Sequence, residues 1–125
     1  MAATPLISIV DDDAFVREAT ADFLTSLGYH ACTFASAEQF LASEHLQDTS
    51  CVITDLRMPG LSGLDLQNRL SAGGCKTPII FVTAYPKERD RSRALSAGAV
   101  AFLNKPFEET ALIGSIEVAL QGCRR

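Results

Sequence analysis

The chain has 125 residues, of which 47% are hydrophobic and 21% charged, and its net charge is −4. This is the composition of one globular domain with enough apolar side chains for a core, and it excludes a disordered tail; the negative balance gives this piece no electrostatic reason to bind nucleic acid. No apolar run approaches the ~20 residues needed to cross a bilayer, and the N-terminus lacks a basic-then-apolar signal, so the domain reads as soluble and cytoplasmic, with no membrane partner.

After Met1-Ala2-Ala3-Thr4-Pro5, read as a loose lead-in, the run Leu6-Ile7-Ser8-Ile9-Val10 predicts a first strand, ending on Asp11-Asp12-Asp13. A helix follows to Gly28, with Phe15, Ala19, Phe23 and Leu27 on one i,i+4 row and Val16 and Leu24 on the next; Asp13 caps it and Gly28 ends it. Residues 29–34 predict a second, more polar strand at an edge, and Ser36-Ala37-Glu38-Gln39 a capping box that opens a second helix with Phe40 and Leu41 inward. Cys51-Val52-Ile53-Thr54-Asp55 predicts a buried third strand, stopped by Met58-Pro59-Gly60, where Gly60 accepts a positive φ. A third helix carries Leu64, Leu66 and Leu70 and closes at Gly73-Gly74.

Pro78-Ile79-Ile80-Phe81-Val82 is the most apolar run and predicts a central strand, ending in Thr83-Ala84-Tyr85. Pro86 suits the first turn of a fourth helix, which is thinly apolar: Arg89, Arg91 and Arg93 precede Ala94 and Leu95, and Gly98 stops it. Residues 99–103 predict a fifth strand, followed by Asn104-Lys105-Pro106-Phe107 and a fifth helix with Leu112, Ile116 and Leu120 on one row and Glu108 and Glu109 in its first turn. Cys32, Cys51, Cys75 and Cys123 show neither CxxC nor metal-ligand spacing, and are expected as reduced thiols. Strict alternation of strands and helices predicts an α/β fold, a single doubly wound parallel sheet that binds ligands beyond the carboxyl ends of its strands.

Those ends carry Asp11 and Asp12 (first strand), Asp55 (third), Thr83 (fourth) and Lys105 (fifth). Singly, each has an ordinary reading: an acidic helix start, a loop cap, a turn hydroxyl, a solvated lysine. Together they place complementary groups in one small volume. Clustered carboxylates tend to take up protons unless a cation compensates, and hard oxygen donors at a partly solvated site suit Mg²⁺ (or Mn²⁺). Lys105 and Thr83 could hold the oxygens of a phosphoryl group while Asp55 acts as nucleophile.

Asp11-Asp12, Asp55 with Met58-Pro59-Gly60, Thr83-Ala84 and Lys105-Pro106-Phe107 resemble the receiver domains of bacterial two-component response regulators, in order and over nearly the whole chain. The stretch from Thr54 to Gly60, and Ala97-Gly98-Ala99 followed by Phe102, look most like the FixJ/LuxR-type branch. The resemblance implies a CheY-like, flavodoxin-like (βα)5 fold with strand order 2-1-3-4-5. It implies a receiver over residues 1–125 (core 6–121), standing ahead of a helix-turn-helix output domain in a longer regulator, or alone.

By the same resemblance Asp55 takes a phosphoryl group from a cognate sensor histidine kinase. Asp12, Asp55 and the backbone carbonyl of Arg57 bind the metal, and Asp11 does so through water. Lys105, aimed by a cis bond to Pro106, bridges Asp55 and the phosphoryl oxygens. Thr83 and the Ala84 amide bind the phosphoryl oxygens, and Phe102 is either the aromatic switch residue or plain core. The expected output is a homodimer when phosphorylated, formed through the fourth helix, fifth strand and fifth helix, with DNA reached only through the output domain. Arg57 and Tyr85 are expected to set the signal's lifetime, and His30 and His45 to be solvated rather than phosphate carriers. Three alternatives compete. A haloacid-dehalogenase-like phosphatase wants a second acid where Arg57 stands. A flavin carrier wants hydroxyls and amides where the first loop is acidic. The third is a receiver that binds partners without phosphorylation.

Overall fold

Val52, Ile53 and the run Ile79-Ile80-Phe81-Val82 are apolar at successive positions, so both faces of their strands must be covered, and helical crossovers supply the cover. In the computed structural model, which describes residues 4–122, the elements alternate as β1 (Leu6–Val10), α1 (Ala14–Ser26), β2 (His30–Phe34), α2 (Ala37–Leu41), β3 (Cys51–Asp55), α3 (Gly63–Ala72), β4 (Ile79–Thr83), α4 (Glu88–Ser96), β5 (Ala101–Asn104) and α5 (Glu109–Gly122). All four strand pairings are parallel, in the order β2-β1-β3-β4-β5. The polar second strand is indeed an edge. Met1 to Ala3 and Cys123 to Arg125 lie outside the described residues.

Strand periodicity splits the core in two. Ile7, Ile9, Ile53, Ile80 and Val82 pack with Leu24 of α1 and with Leu112, Ile116 and Ala119 of α5. Val10, Val52, Leu56, Ile79 and Phe81 pack with Phe40 of α2, Leu66 and Leu70 of α3 and Ala94 of α4. Full burial of such side chains stabilises by roughly 1.5–3 kcal/mol each, so both layers contribute to holding the sheet. No helix among the described residues is long and apolar enough to cross a membrane.

Several local expectations change. The row through Phe15, Ala19, Phe23 and Leu27 meets the core only at Phe23: Phe15 is 82% exposed, and the buried residues of α1 are Thr20 and Leu24. Thr20 can be buried because its hydroxyl donates to the Val16 carbonyl at 2.8 Å, so no polar atom is left unpaired. Pro86 lies before α4, whose N-cap is Lys87, a residue that makes no side-chain cap bond. The reciprocal capping box appears at α3, between Ser62 and Asp65, and not at α2. There Ser36 accepts from the Gln39 amide, but the Gln39 side chain accepts from Ala35 instead. The β5 strand begins at Ala101 rather than at residue 99.

Candidate functional site

Parallel strands bring all their carboxyl ends to one edge of the sheet, and the strand order reverses between β1 and β3, opening a crevice there. Asp11 follows β1 directly and is buried, while its neighbour Asp12 is exposed. Asp55 is the last residue of β3 and Thr83, buried, the last of β4. One carboxylate oxygen from each of Asp11, Asp12 and Asp55 lies within 4.8 Å of the others. Lys105, after β5, donates from Nζ to Asp11 Oδ2 at 2.8 Å and to Asp55 Oδ2 at 3.2 Å. The Lys105-Pro106 bond is cis.

The two buried-side acids are therefore not equivalent. Asp11 is fully engaged, since its Oδ1 accepts from the Asp13 amide at 2.9 Å and its Oδ2 from Lys105. Its backbone carbonyl also accepts from the Arg17 guanidinium at 2.7 Å. Asp13 is a helix cap, accepting from the Phe15 and Val16 amides. Burial raises the Asp55 carboxyl above its ordinary value; Lys105 opposes this and Asp11 adds to it. Burial works against the charged form of Lys105, but the hydrogen bonds and charges of Asp11 and Asp55 outweigh it and hold the ammonium above its ordinary value. A charged lysine between two carboxylates is thus the resting arrangement.

The loop after Asp55 is tied on both sides. Gly60 takes φ 78°, and the next amide, of Leu61, donates to Glu38 Oε2 of α2 at 3.2 Å. A Cβ on Gly60 would meet that carboxylate, and one on Gly63 would meet the backbone carbonyl of Asp55. Only glycine lets α3 start so close to β3. On the other side Arg57 forms an ion pair of 2.8 Å with Asp90 of α4. Its amide points back to Asp55 Oδ1 at 3.4 Å.

Thr83 Oγ1 accepts from the Tyr85 amide at 3.2 Å, Ala84 is exposed at the rim, and Tyr85 is 74% exposed. Phe102 pairs in register with Phe81, their ring centroids 6.3 Å apart, and is half-buried against the α2–α4 layer. In this arrangement it packs as core. His30 and His45 are exposed, at the start of β2 and after α2, away from the strands' carboxyl ends. Sequence reasoning missed Arg17, Glu38, Gly63 and Asp90. A glycine directly after a capping serine hinted at a close approach, but nothing local pairs residue 57 with residue 90.

Residues 7–117 match the family described as the response regulator receiver domain. The chain is 40% identical over 116 residues to response regulator protein TodT of Pseudomonas putida, covering 93% of this chain and 51% of that protein. It is 37% identical over 114 residues to the transcriptional regulatory protein FixJ of Azorhizobium caulinodans, covering 91% and 54%. The crystal structure of FixJ-N superposes with a TM-score of 0.86 at 37% identity, covering 96% of each chain. The chain spans about half the length of the curated relatives it matches.

Proposed function

The chain belongs to the response regulator receiver domains of two-component systems, and from that premise we propose that Asp55 accepts a phosphoryl group from a phosphohistidine on a sensor kinase. The observation that carries the proposal is the convergence of Asp11, Asp12, Asp55 and Lys105 at the carboxyl edge of the sheet. One Asp55 oxygen attacks phosphorus and the P–N bond breaks. The bonding pair stays on the departing nitrogen, and the imidazole leaves neutral when its other nitrogen is protonated. An acyl phosphate remains on Asp55.

The donor set fits a hard divalent cation: three carboxylates face one ammonium, leaving net negative charge, and their oxygens lie close enough to share an ion. Asp12 and Asp55, with the Arg57 carbonyl, would hold Mg²⁺ (or Mn²⁺). Asp11, with both oxygens engaged, would act through water. The ion supplies charge neutralisation on the phosphoryl oxygens. Lys105 sits between Asp11 and Asp55, so a phosphoryl group added to Asp55 meets an ammonium already in place. The Thr83 hydroxyl and Ala84 amide complete the oxygen contacts, and movement of Thr83 leaves space for Phe102. The changed surface of α4, β5 and α5 then forms a homodimer that drives a DNA-binding output domain, a reading supported by the relatives' names as transcriptional regulators.

Intact mass spectrometry after incubation with acetyl phosphate and Mg²⁺ tests the acceptor. One adduct is expected, absent in Asp55→Asn and in the presence of EDTA. No adduct in any sample would replace this reading with a phosphorylation-independent binding module. Sedimentation with and without phosphorylation tests the dimer, and an unchanged monomer would remove it.

A further inference from the structure

Among the helices on its face of the sheet, α4 is held least. Ala94 is its one buried residue among those described. Gln67 Nε2 donates to the Ala94 carbonyl at 3.1 Å, which fixes the C-terminal half. At the N-terminal half the cap residue Lys87 contributes no side-chain bond, and Asp90 holds the first turn to the rest of the domain through Arg57. The Asp90 side chain is 15% exposed and that of Arg57 51%, so the carboxylate is a covered anchor and the guanidinium the movable partner. Arg57 stands two residues after Asp55, with its amide already pointing at Asp55 Oδ1.

We infer that Asp90 is a positioning residue for Arg57: it withholds the guanidinium from the acceptor site at rest and surrenders it when Asp55 is phosphorylated, which releases the first turn of α4. The inference rests on Asp55 being the phosphoryl acceptor. A phosphoryl group carries up to about two negative charges and three acceptor oxygens against the single charge of Asp90. An arginine fork binds such a group with two parallel hydrogen bonds, so the added group competes for Arg57 from the rim where that side chain originates. Because both anions draw on one cation, the coupling is reciprocal: an untethered α4 favours phosphorylated Asp55, and phosphorylated Asp55 favours an untethered α4.

The test is a double-mutant cycle on the intact chain, read by the dephosphorylation rate after acetyl phosphate is removed and by amide exchange over residues 91–94. Asp90→Ala should lengthen the phosphoryl lifetime about threefold, the scale of a half-exposed ion pair, by freeing Arg57 to cover the phosphorus. In an Arg57→Ala background the same change should do nothing. Asp90→Glu should restore the wild-type lifetime. Exchange over 91–94 should quicken on phosphorylation in the wild type. In unphosphorylated Asp90→Ala and Arg57→Ala it should already be quick and gain nothing more. An equal lifetime change in both backgrounds would make Asp90 merely structural and overturn the inference, as would exchange indifferent to either substitution. Absence of any adduct on the wild type is a different failure: it removes Asp55 as acceptor, and the inference with it.

Discussion

The two ends of the sheet differ in a way that separates room from chemistry. At the amino ends of the strands lies a recess of about 990 Å³, lined by residues such as Gln67, Leu70, Thr77, Pro78 and Val118, with Lys76 its one charged group among the described residues. At the carboxyl ends one carboxylate oxygen from each of Asp11, Asp12 and Asp55 lies within 4.8 Å of the others, and Lys105 bonds to two of these acids, Asp11 and Asp55. A parallel sheet makes this asymmetry unavoidable, because every strand delivers its last residue to the same edge and every crossover helix starts there. Charge convergence, rather than volume, marks the candidate site.

Breaking that convergence should have the largest effect. Lys105→Ala leaves the mostly buried Asp11 and Asp55 without their shared cation, and the rate of phosphorylation by acetyl phosphate should fall on the order of 100-fold, as when one preorganised charge stabiliser is removed. Stopped-flow or quenched mass measurements would show it, and a change below a few-fold would mean that the lysine is a spectator. Next is Gly63→Ala, whose added methyl meets the Asp55 carbonyl; urea unfolding should show a loss of about 1–3 kcal/mol, the usual cost of overpacking.

Asp55→Asn should act in the opposite direction on stability. Because its carboxyl is raised above 3.8 in the fold, mainly by burial, the ionised form is disfavoured by folding. That cost is absent below the unfolded value and fully present once pH has risen through the folded one. The variant should therefore melt a few degrees higher at neutral pH, with the gain vanishing at pH ~3. Equal melting at both pH values would show that Lys105 fully compensates the charge. Smallest of all, Lys76→Ala at the opposite end should leave the phosphorylation rate unchanged and stability within about 0.5 kcal/mol, the range of ordinary surface changes. A kinetic effect there would mean that the two ends are coupled.

Much of this candidate site was legible in the chain itself. Asp11, Asp12, Asp55, Thr83 and Lys105 were identifiable because each follows an apolar run, and the end of a strand is a local property. The Asp13 cap, the positive φ at Gly60 and the edge position of β2 were legible for the same reason. The inward face of α1 was legible only in part, at Phe23 and Leu24. Phe15 and Leu27 extend the apolar row, yet the sheet lies under Thr20 and Leu24, and only the satisfied hydroxyl of Thr20 makes that burial tolerable.

By itself the sequence determined the alternation of elements, the apolar strands and the set of charged residues that a parallel sheet gathers at one edge. Tertiary structure decided how those charges divide: Lys105 reaching back 94 residues to Asp11, Asp12 left exposed beside them, and Arg57 turned aside to Asp90, 33 residues ahead. Periodicity and turn chemistry act over a few residues and are written in the chain. Ion pairs across strands depend on which strands the fold sets near one another and on how far each side chain is buried, and no local pattern encodes either.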